Sequence, residues 1–187
     1  MCEEGRTGSD WFTLNTWCLC LLDLARSAES LVPAGSRLKC VVFFRLSAGE
    51  VLSWAESLEA LLTNQCGLAL FHHFLRSEFS EENLDFWLAV ERFKKTHPLS
   101  KMAARAEKIY NEFISTTAVR QVNVDSSVRE TTNQNLRFGV NPASFQLAQD
   151  QIFSLMETDS YPRFLQSHLY TQLANQSATR SVPVSQS

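Results

Sequence analysis

EFSEENLDFW, the sequence of residues 78–87, predicts the point where one helix ends and another begins. Ser80 is suited to cap the second helix, because a serine hydroxyl accepts a hydrogen bond from the free N–H groups of a first helical turn. The acidic side chains that follow place negative charge at the positive end of the helix dipole. Asn83 stands three residues after Ser80, where a side chain can reach back to the cap. On these residues alone, we expect a well-formed helix start.

Apolar side chains continue at helical spacing beyond this start. They are Phe86, Trp87, Val90 and Phe93. This spacing places them on one face, so we expect a helix that runs to about Lys95 and buries that face. The helix should end before Pro98, because proline disfavours the helical conformation in the residue that precedes it.

Two more helices are predicted on the N-terminal side. Ser53, with Glu56 at the capping-box position, indicates a helix start at Ser53. Gly67 is expected to separate this helix from the next one, over residues 68–78. Upstream, the apolar residues 38–44 have strand propensity, yet the chain offers no partner strand. We therefore interpret them either as a lead-in that packs on the domain or as a membrane-contact patch.

The C-terminal half also reads as helical. Apolar residues recur at helical intervals between residues 102 and 113. Asp125 is expected to cap the helix that follows it. Pro162 stands near another helix start, where its missing N–H costs little, and Ser167 stands near the start of the last helix. Because nearly every predicted element is helical, the sequence predicts an all-α fold.

The composition excludes several classes of protein. The 187 residues, 44% of them hydrophobic, suffice for one domain with a buried core and tails. The net charge of −3 argues against nucleic-acid binding, which requires a basic surplus. Five cysteines without paired spacing indicate neither a disulfide framework nor a zinc site. His72 and His73 are adjacent, so on a helix they diverge and do not share a metal ion. We expect no cofactor and no metal.

The chain divides into three parts by composition. We expect residues 1–50 to form an N-terminal segment and residues 51–176 to form the helical domain. Residues 177–187 are rich in Ser and Gln and are expected to be a disordered tail. No apolar run in the sequence is long enough for a transmembrane helix.

The N-terminal segment is open to two interpretations, because residues 11–24 are strongly apolar but are interrupted by polar residues. It is either a flexible leader or a membrane-targeting segment. In the second case, Cys2, Cys18 and Cys20 are candidates for S-acylation. We expect the protein in the cytoplasm and, in that second case, also peripherally at the inner face of the plasma membrane.

Residues 78–91, with the sequence EFSEENLDFWLAVE, resemble the signature of the RGS domain, the regulator of G-protein signalling. Three further stretches agree in the same order: residues 122–125, residues 149–156 and residues 159–165. The similarity extends over about residues 52–173 and points to the small single-domain RGS proteins. It implies an RGS-type helical bundle of about nine helices. Residues 137–141 depart from the family pattern, which leaves the geometry of that loop open.

The resemblance implies a GTPase-activating protein for the α subunits (Gα) of heterotrimeric G proteins. A protein of this family binds the mobile switch regions of GTP-loaded Gα and stabilises them in the transition-state arrangement, which terminates signalling by G-protein-coupled receptors. The Gα subunit supplies the catalytic groups, so we expect a protein that is not itself an enzyme. The expected partner is an inhibitory-class Gα, with the Gq class as the alternative, and we expect a monomer.

The resemblance also assigns Gα-binding positions, which stand at the starts and junctions of the predicted helices. They are Phe79, Ser80, Glu82, Asn83, Asn123, Asp125, Leu155, Asp159, Ser160 and Arg163. Asn83 is implied to lie nearest to the Gα glutamine that orients the attacking water, and Arg163 is expected to brace Asp159. Phe79 and Leu155 have an alternative role as core residues.

Two other functions are weighed against this one. The first is an RGS-like scaffold, or effector antagonist, that binds Gα without accelerating hydrolysis. The second is a stand-alone enzyme, which is disfavoured because the sequence shows no nucleophile triad, metal cluster or Gly-rich phosphate loop.

Overall fold

The computed structural model describes residues 47–180. The predictions for residues 38–44, and the acylation candidates Cys2, Cys18 and Cys20, lie outside the described residues. Within residues 47–180 the secondary structure is helical and contains no β-strand, so the prediction of an all-α fold is confirmed. None of the helices in this range has the length and apolar character needed to cross a lipid bilayer.

The α-helices are numbered here in chain order. They are α1 (Ala48–Ser53), α2 (Leu58–Thr63), α3 (Gln65–Ser77), α4 (Glu81–Lys94), α5 (Met102–Ile109), α6 (Ser126–Phe138), α7 (Gln146–Leu155), α8 (Tyr161–Gln166) and α9 (His168–Arg180). A 3-10 turn, Leu99–Lys101, precedes α5, and single π-helical turns follow α5 (Tyr110–Ile114) and α7 (Met156–Ser160). The described residues form two compact units: residues 47–73 with 169–180, and residues 74–168.

The predicted helix start at Ser53 is wrong. Ser47 instead begins α1 with a capping box, in which its Oγ accepts from the Glu50 N–H at 3.2 Å and its N–H donates to the Glu50 carboxylate at 2.9 Å. Ser57 caps α2 by accepting from the Ala60 N–H at 3.0 Å. Ser53 is the last residue of α1, because the chain turns after it and fully buries Trp54.

Gly67 does not separate two helices, as predicted, but lies inside α3. Asn64 caps α3, since its Oδ1 accepts from the N–H groups of Cys66 and Gly67, each at 3.0 Å. A Cβ at position 67 would lie 2.7 Å from the carbonyl oxygen of Leu61 in α2. Glycine is therefore required here because the backbones of α2 and α3 approach each other closely.

The first unit buries its own apolar cluster. Its members are Val51, Trp54, Leu58, Leu61, Leu62, Ala69, Phe71, Tyr170 and Leu173. The Tyr170 hydroxyl donates to the carbonyl oxygen of Val51 at 3.2 Å and so connects α9 to α1. The last helix extends to Arg180, beyond the start of the predicted tail at residue 177.

The second unit is organised around aromatic rings of α4. Phe86 lies 5.7 Å from Phe113, and Phe93 lies 5.2 Å from Phe145, measured between ring centroids. Phe86, Val90 and Phe93 are buried, which confirms the predicted apolar face of α4. Trp87 is half-buried and packs against Phe153 of α7, at 6.2 Å between centroids. The core of this unit thus fixes the direction of α4 and of the polar residues at its start.

Residues 137–141, which depart from the family pattern, begin at the end of α6. Gly139 follows this helix with a φ of 141°, a conformation that other residues rarely adopt. Phe138, the last residue of α6, is 91% exposed. The α6 helix itself begins at Ser126, directly after Asp125, as predicted, although the Asp125 side chain makes no capping hydrogen bond among the described residues.

Candidate functional site

The turn between α3 and α4 presents an aromatic side chain to solvent. Phe79 has a φ of 56°, and its N–H donates to the Arg76 carbonyl at 3.2 Å. The Ser80 N–H reaches back to the Leu75 carbonyl at 2.9 Å. These two bonds form a Schellman motif, in which glycine usually occupies the left-handed position. Phe79 is 90% exposed, so it is not a core residue.

Ser80 does not cap α4, contrary to the prediction. Its backbone angles lie outside the extended region that an N-cap usually adopts, and its side chain makes no capping bond among the described residues. The Ser80 hydroxyl instead donates to the Leu75 carbonyl at 3.3 Å. Ser80 therefore completes the end of α3 rather than the start of α4, because the tight turn directs its side chain backwards.

Asn83 is buried in the first turn of α4. Only 7% of its surface is exposed, and its Oδ1 has no hydrogen-bond partner among the described residues. The predicted reach of this side chain back to the cap is therefore not observed. A buried acceptor without a partner costs about 1–3 kcal/mol. The Asn83 Oδ1 can therefore still accept a hydrogen bond, next to the exposed turn.

Arg120 ties the connection between α5 and α6 to α4. Its guanidinium pairs with Asp85, and its Nη1 lies 3.0 Å from Oε1 of Glu112. The guanidinium carbon also lies 5.3 Å from the centre of the Phe113 ring. Burial acts to lower the pKa of Arg120, but the bonds to Asp85 and Glu112 outweigh it and raise the pKa above its ordinary value. The guanidinium therefore stays charged and holds this connection in place.

The same connection alternates between buried and exposed residues. Val122 and Val124 are buried, and Asn123 and Asp125 are exposed. The Asp125 N–H donates to Oε1 of Gln151 in α7 at 3.1 Å. The two valines thus anchor the chain, and the two polar side chains between and after them face outward.

The junction of α7 and α8 carries the last group of polar residues. Leu155 is half-buried and Asp159 is exposed, whereas Ser160 is only 3% exposed. Arg163 pairs with Asp159, which confirms the predicted brace. Its Nη2 also donates to Oε2 of Glu78 at 2.8 Å. The hydrogen bonds that Arg163 donates to Glu78, and then those to Asp159, raise the pKa of its guanidinium above the ordinary value.

Comparison with known proteins identifies the family of this chain. The family model for the "Regulator of G protein signaling domain" matches residues 57–173. The chain belongs to the RGS family. It is 48% identical to "Regulator of G-protein signaling 8" of Homo sapiens over 136 residues, which cover 73% of this chain and 75% of that protein.

Two further relatives are similar to this RGS-family chain over nearly the same length. "Regulator of G-protein signaling 8" of Rattus norvegicus is 47% identical over 136 residues, or 73% of this chain and 75% of the relative. "Regulator of G-protein signaling 16" of Sus scrofa is 49% identical over 132 residues, or 71% of this chain and 66% of the relative. The predicted RGS-type bundle is therefore confirmed.

The RGS fold brings all four motifs together through contacts that involve side chains. Arg163 joins the 78–80 turn to Asp159, and Gln151 of α7 joins the connection at Asp125. Arg120 joins that connection to α4. Sequence reasoning did not identify Glu78, Arg120 or Gln151, because nothing in their local pattern indicates partners so far away in the chain.

Proposed function

We propose that this RGS domain accelerates GTP hydrolysis by Gα subunits by binding their switch regions in the transition-state arrangement. The observation that carries the proposal is the pair of arginine contacts just described. Arg163 holds the turn of Phe79 against the end of α7, and Arg120 holds the connection of Asn123 against α4. A surface held in this way is pre-organised, so little conformational entropy is lost on its side when it binds and orders a partner's mobile loops.

The proposed chemistry requires no active site in the RGS domain. A Gα subunit already holds the arginine, glutamine and Mg²⁺ that hydrolysis requires, and its switch loops are mobile. Fixing those loops aligns the existing charges, and each tenfold acceleration needs only about 1.4 kcal/mol of preferential binding to the transition state. We therefore propose an activator of its partner that is not itself a hydrolase.

The proposed contact surface keeps all ten predicted positions, but they contribute in different ways. Phe79, Asn123, Asp125, Asp159 and Arg163 are exposed, so they are placed to touch a partner directly. Glu82 and Leu155 are half-buried. Ser80 completes the turn, and Ser160 lies buried beside Asp159, so both act by shaping the surface.

Asn83 has a separate role in the proposal. Its unpartnered Oδ1 lies at the start of α4, directly after the exposed turn. We propose that the Asn83 side chain turns in the complex, so that this Oδ1, which is buried in the free chain, accepts from a Gα donor such as the side-chain amide of the glutamine that orients the attacking water. The hydrogen bond would then form only in the bound arrangement, which is the condition for an interaction to accelerate the reaction.

The experiment that tests this function is single-turnover GTP hydrolysis by a preloaded inhibitory-class Gα, with and without the full chain. The proposal predicts an acceleration of about tenfold or more. Binding to Gα with no acceleration would favour the scaffold function instead. Hydrolysis of GTP by the chain in the absence of Gα would contradict the proposal that it has no active site.

Several further properties stay predictions. They are the preference for inhibitory-class Gα over the Gq class, the monomeric state, and the domain boundaries at residues 51–176. The cytoplasmic location, the peripheral membrane contact and the S-acylation at Cys2, Cys18 and Cys20 are also predictions. Parallel assays with Gα subunits of both classes, together with a mass measurement in solution, test the first two.

A further inference from the structure

Glu78 directly precedes Phe79 and is not among the predicted contact positions. Its carboxylate accepts from Arg163 at three distances: 2.8 Å from Nη2, and 3.3 and 3.4 Å from Nε. The remaining terminal nitrogen of that guanidinium, Nη1, pairs with Asp159. One planar group therefore binds two carboxylates that belong to different parts of the proposed surface.

Global stability does not account for this arrangement. The side chains of Glu78, Arg163 and Asp159 are 30%, 44% and 57% exposed. Ion pairs with such exposure contribute little to folding, because solvent and salt screen them. The fork of the guanidinium nevertheless imposes a defined geometry on the groups that it binds. The contribution of Glu78 is therefore positional rather than energetic.

Phe79, the residue after Glu78, has an unfavourable backbone conformation. It occupies the left-handed region of backbone space, which is unfavourable for a residue with a Cβ. Such conformations persist when the surrounding structure over-determines them. The two Schellman bonds fix the turn to the end of α3. The Glu78–Arg163 pair fixes the same turn to α8 from the other side.

We propose that Glu78 is a positioning residue for the Gα-binding surface. Through Arg163 it holds the exposed ring of Phe79 and the carboxylate of Asp159 in one fixed relation, so that both meet the same partner at once. The inference rests on the proposed function and specifies how that surface is kept ready before binding. Loss of Glu78 allows the turn to sample other conformations, and Gα must then select the competent one.

The test compares Glu78→Gln with Glu107→Gln, which removes an exposed carboxylate from α5 in the same unit. Single-turnover hydrolysis by an inhibitory-class Gα is measured over a range of concentrations of each full-length variant. For Glu78→Gln we expect the concentration for half-maximal acceleration to rise about three- to fivefold, the scale set by the loss of one partly exposed ion pair. The rate at saturation should change less than about twofold, because bound Gα holds the turn in place.

A double-mutant cycle separates this role from an independent contact. In an Arg163→Ala background, adding Glu78→Gln should have little further effect, because the two residues act as one unit. Additive losses would overturn the proposal, as would an unchanged half-maximal concentration in Glu78→Gln. A fall in melting temperature comparable to that of a core substitution would also overturn it, since the role would then be structural.

A second measurement does not depend on catalysis. In the NMR spectrum of the free chain, the amide signal of Phe79 should broaden in Glu78→Gln, beyond the small shift that any substitution of the preceding residue causes, and should be unchanged in Glu107→Gln. An unchanged Phe79 signal would refute the positioning role even if the unmodified chain failed to accelerate Gα. That failure of the unmodified chain would refute the proposed function by itself, so the two outcomes are distinguishable.

Discussion

Gln149 of α7 donates a hydrogen bond from Nε2 to Oε1 of Glu91 in α4 across 2.8 Å, although 58 positions separate the two residues. Gln149 is 2% exposed, and its Nε2 also reaches the carbonyl oxygen of Trp87 at 3.3 Å. Lys94 lies 3.1 Å from the same carboxylate oxygen of Glu91. This contact joins α4 to α7.

The Glu91 contact predicts a pH dependence. Burial raises the pKa of Glu91, but the hydrogen bonds from Gln149 and Lys94 outweigh it and leave the pKa below the ordinary value. The contact therefore stabilises the fold above the unfolded-state pKa of about 4.3 and is lost as the pH falls through the lower folded-state pKa. We expect Glu91→Gln to reduce the free energy of unfolding by about 0.5–1 kcal/mol near pH 7, after allowance for solvent screening.

Urea titrations between pH 3 and pH 7 measure this effect. The difference between the unmodified chain and Glu91→Gln should shrink as the pH approaches 3. Glu107→Gln, an exposed change on α5, serves as the control for the removal of one negative charge. A difference that stayed constant over this pH range would contradict the role assigned to the Glu91 carboxylate.

Replacement of Phe79 by glycine should separate stability from function. Glycine relieves the left-handed strain, so we expect the free energy of unfolding to rise by about 1 kcal/mol. The same change removes the exposed ring, so the acceleration of Gα should fall. Phe138→Gly is the matched control, because Phe138 is equally exposed but ends a helix, where glycine should destabilise by about 0.5–1 kcal/mol. Denaturant unfolding measures both variants, and we expect their changes in the free energy of unfolding to have opposite signs.

Asn83→Ala should leave the fold stable and remove activity. The substitution deletes a buried acceptor that has no partner among the described residues. The stability lost with the packing of the side chain is therefore offset, because the cost of burying that acceptor is removed as well. We expect a change in melting temperature within a few degrees, together with a loss of about tenfold or more in the acceleration of Gα. Asn111→Ala, an exposed change after α5, is the control. Full activity of Asn83→Ala would remove this residue from the centre of the mechanism.

Two glycines should respond in opposite directions to substitution by alanine. In Gly67→Ala the new Cβ would lie 2.7 Å from the Leu61 carbonyl oxygen, so we expect a destabilisation of about 1–3 kcal/mol. At Gly49 a Cβ meets nothing within 4 Å, so Gly49→Ala in helix α1 should stabilise by about 0.5–1 kcal/mol. Thermal unfolding measures both. Stabilisation of equal size at the two positions would show that helix propensity, and not the close approach at Gly67, decides the outcome.

The helices were largely predictable from the sequence because their signals are local. The spacing of Phe86, Val90 and Phe93 indicated the buried face of α4, and the break before Pro98 indicated its end. Capping was predicted less well, since Ser47, Ser53 and Ser57 all have the residue type of a cap. Which of them begins a helix depends on where the chain must turn to bury Trp54, and that is a tertiary constraint.

The sequence by itself determined the all-α fold and the order of the four family motifs, because periodicity and motif spacing are written along the chain. Only the tertiary structure decided how those motifs are held. The pairing of Arg163 with Glu78, and of Arg120 with Asp85, joins residues that are distant in sequence. It also decided that the Ser80 hydroxyl turns back to Leu75 and that Phe79 is exposed, because both follow from the left-handed turn. Local patterns predict where a helix forms, whereas the long-range packing of the helices decides which side chains are left to face a partner.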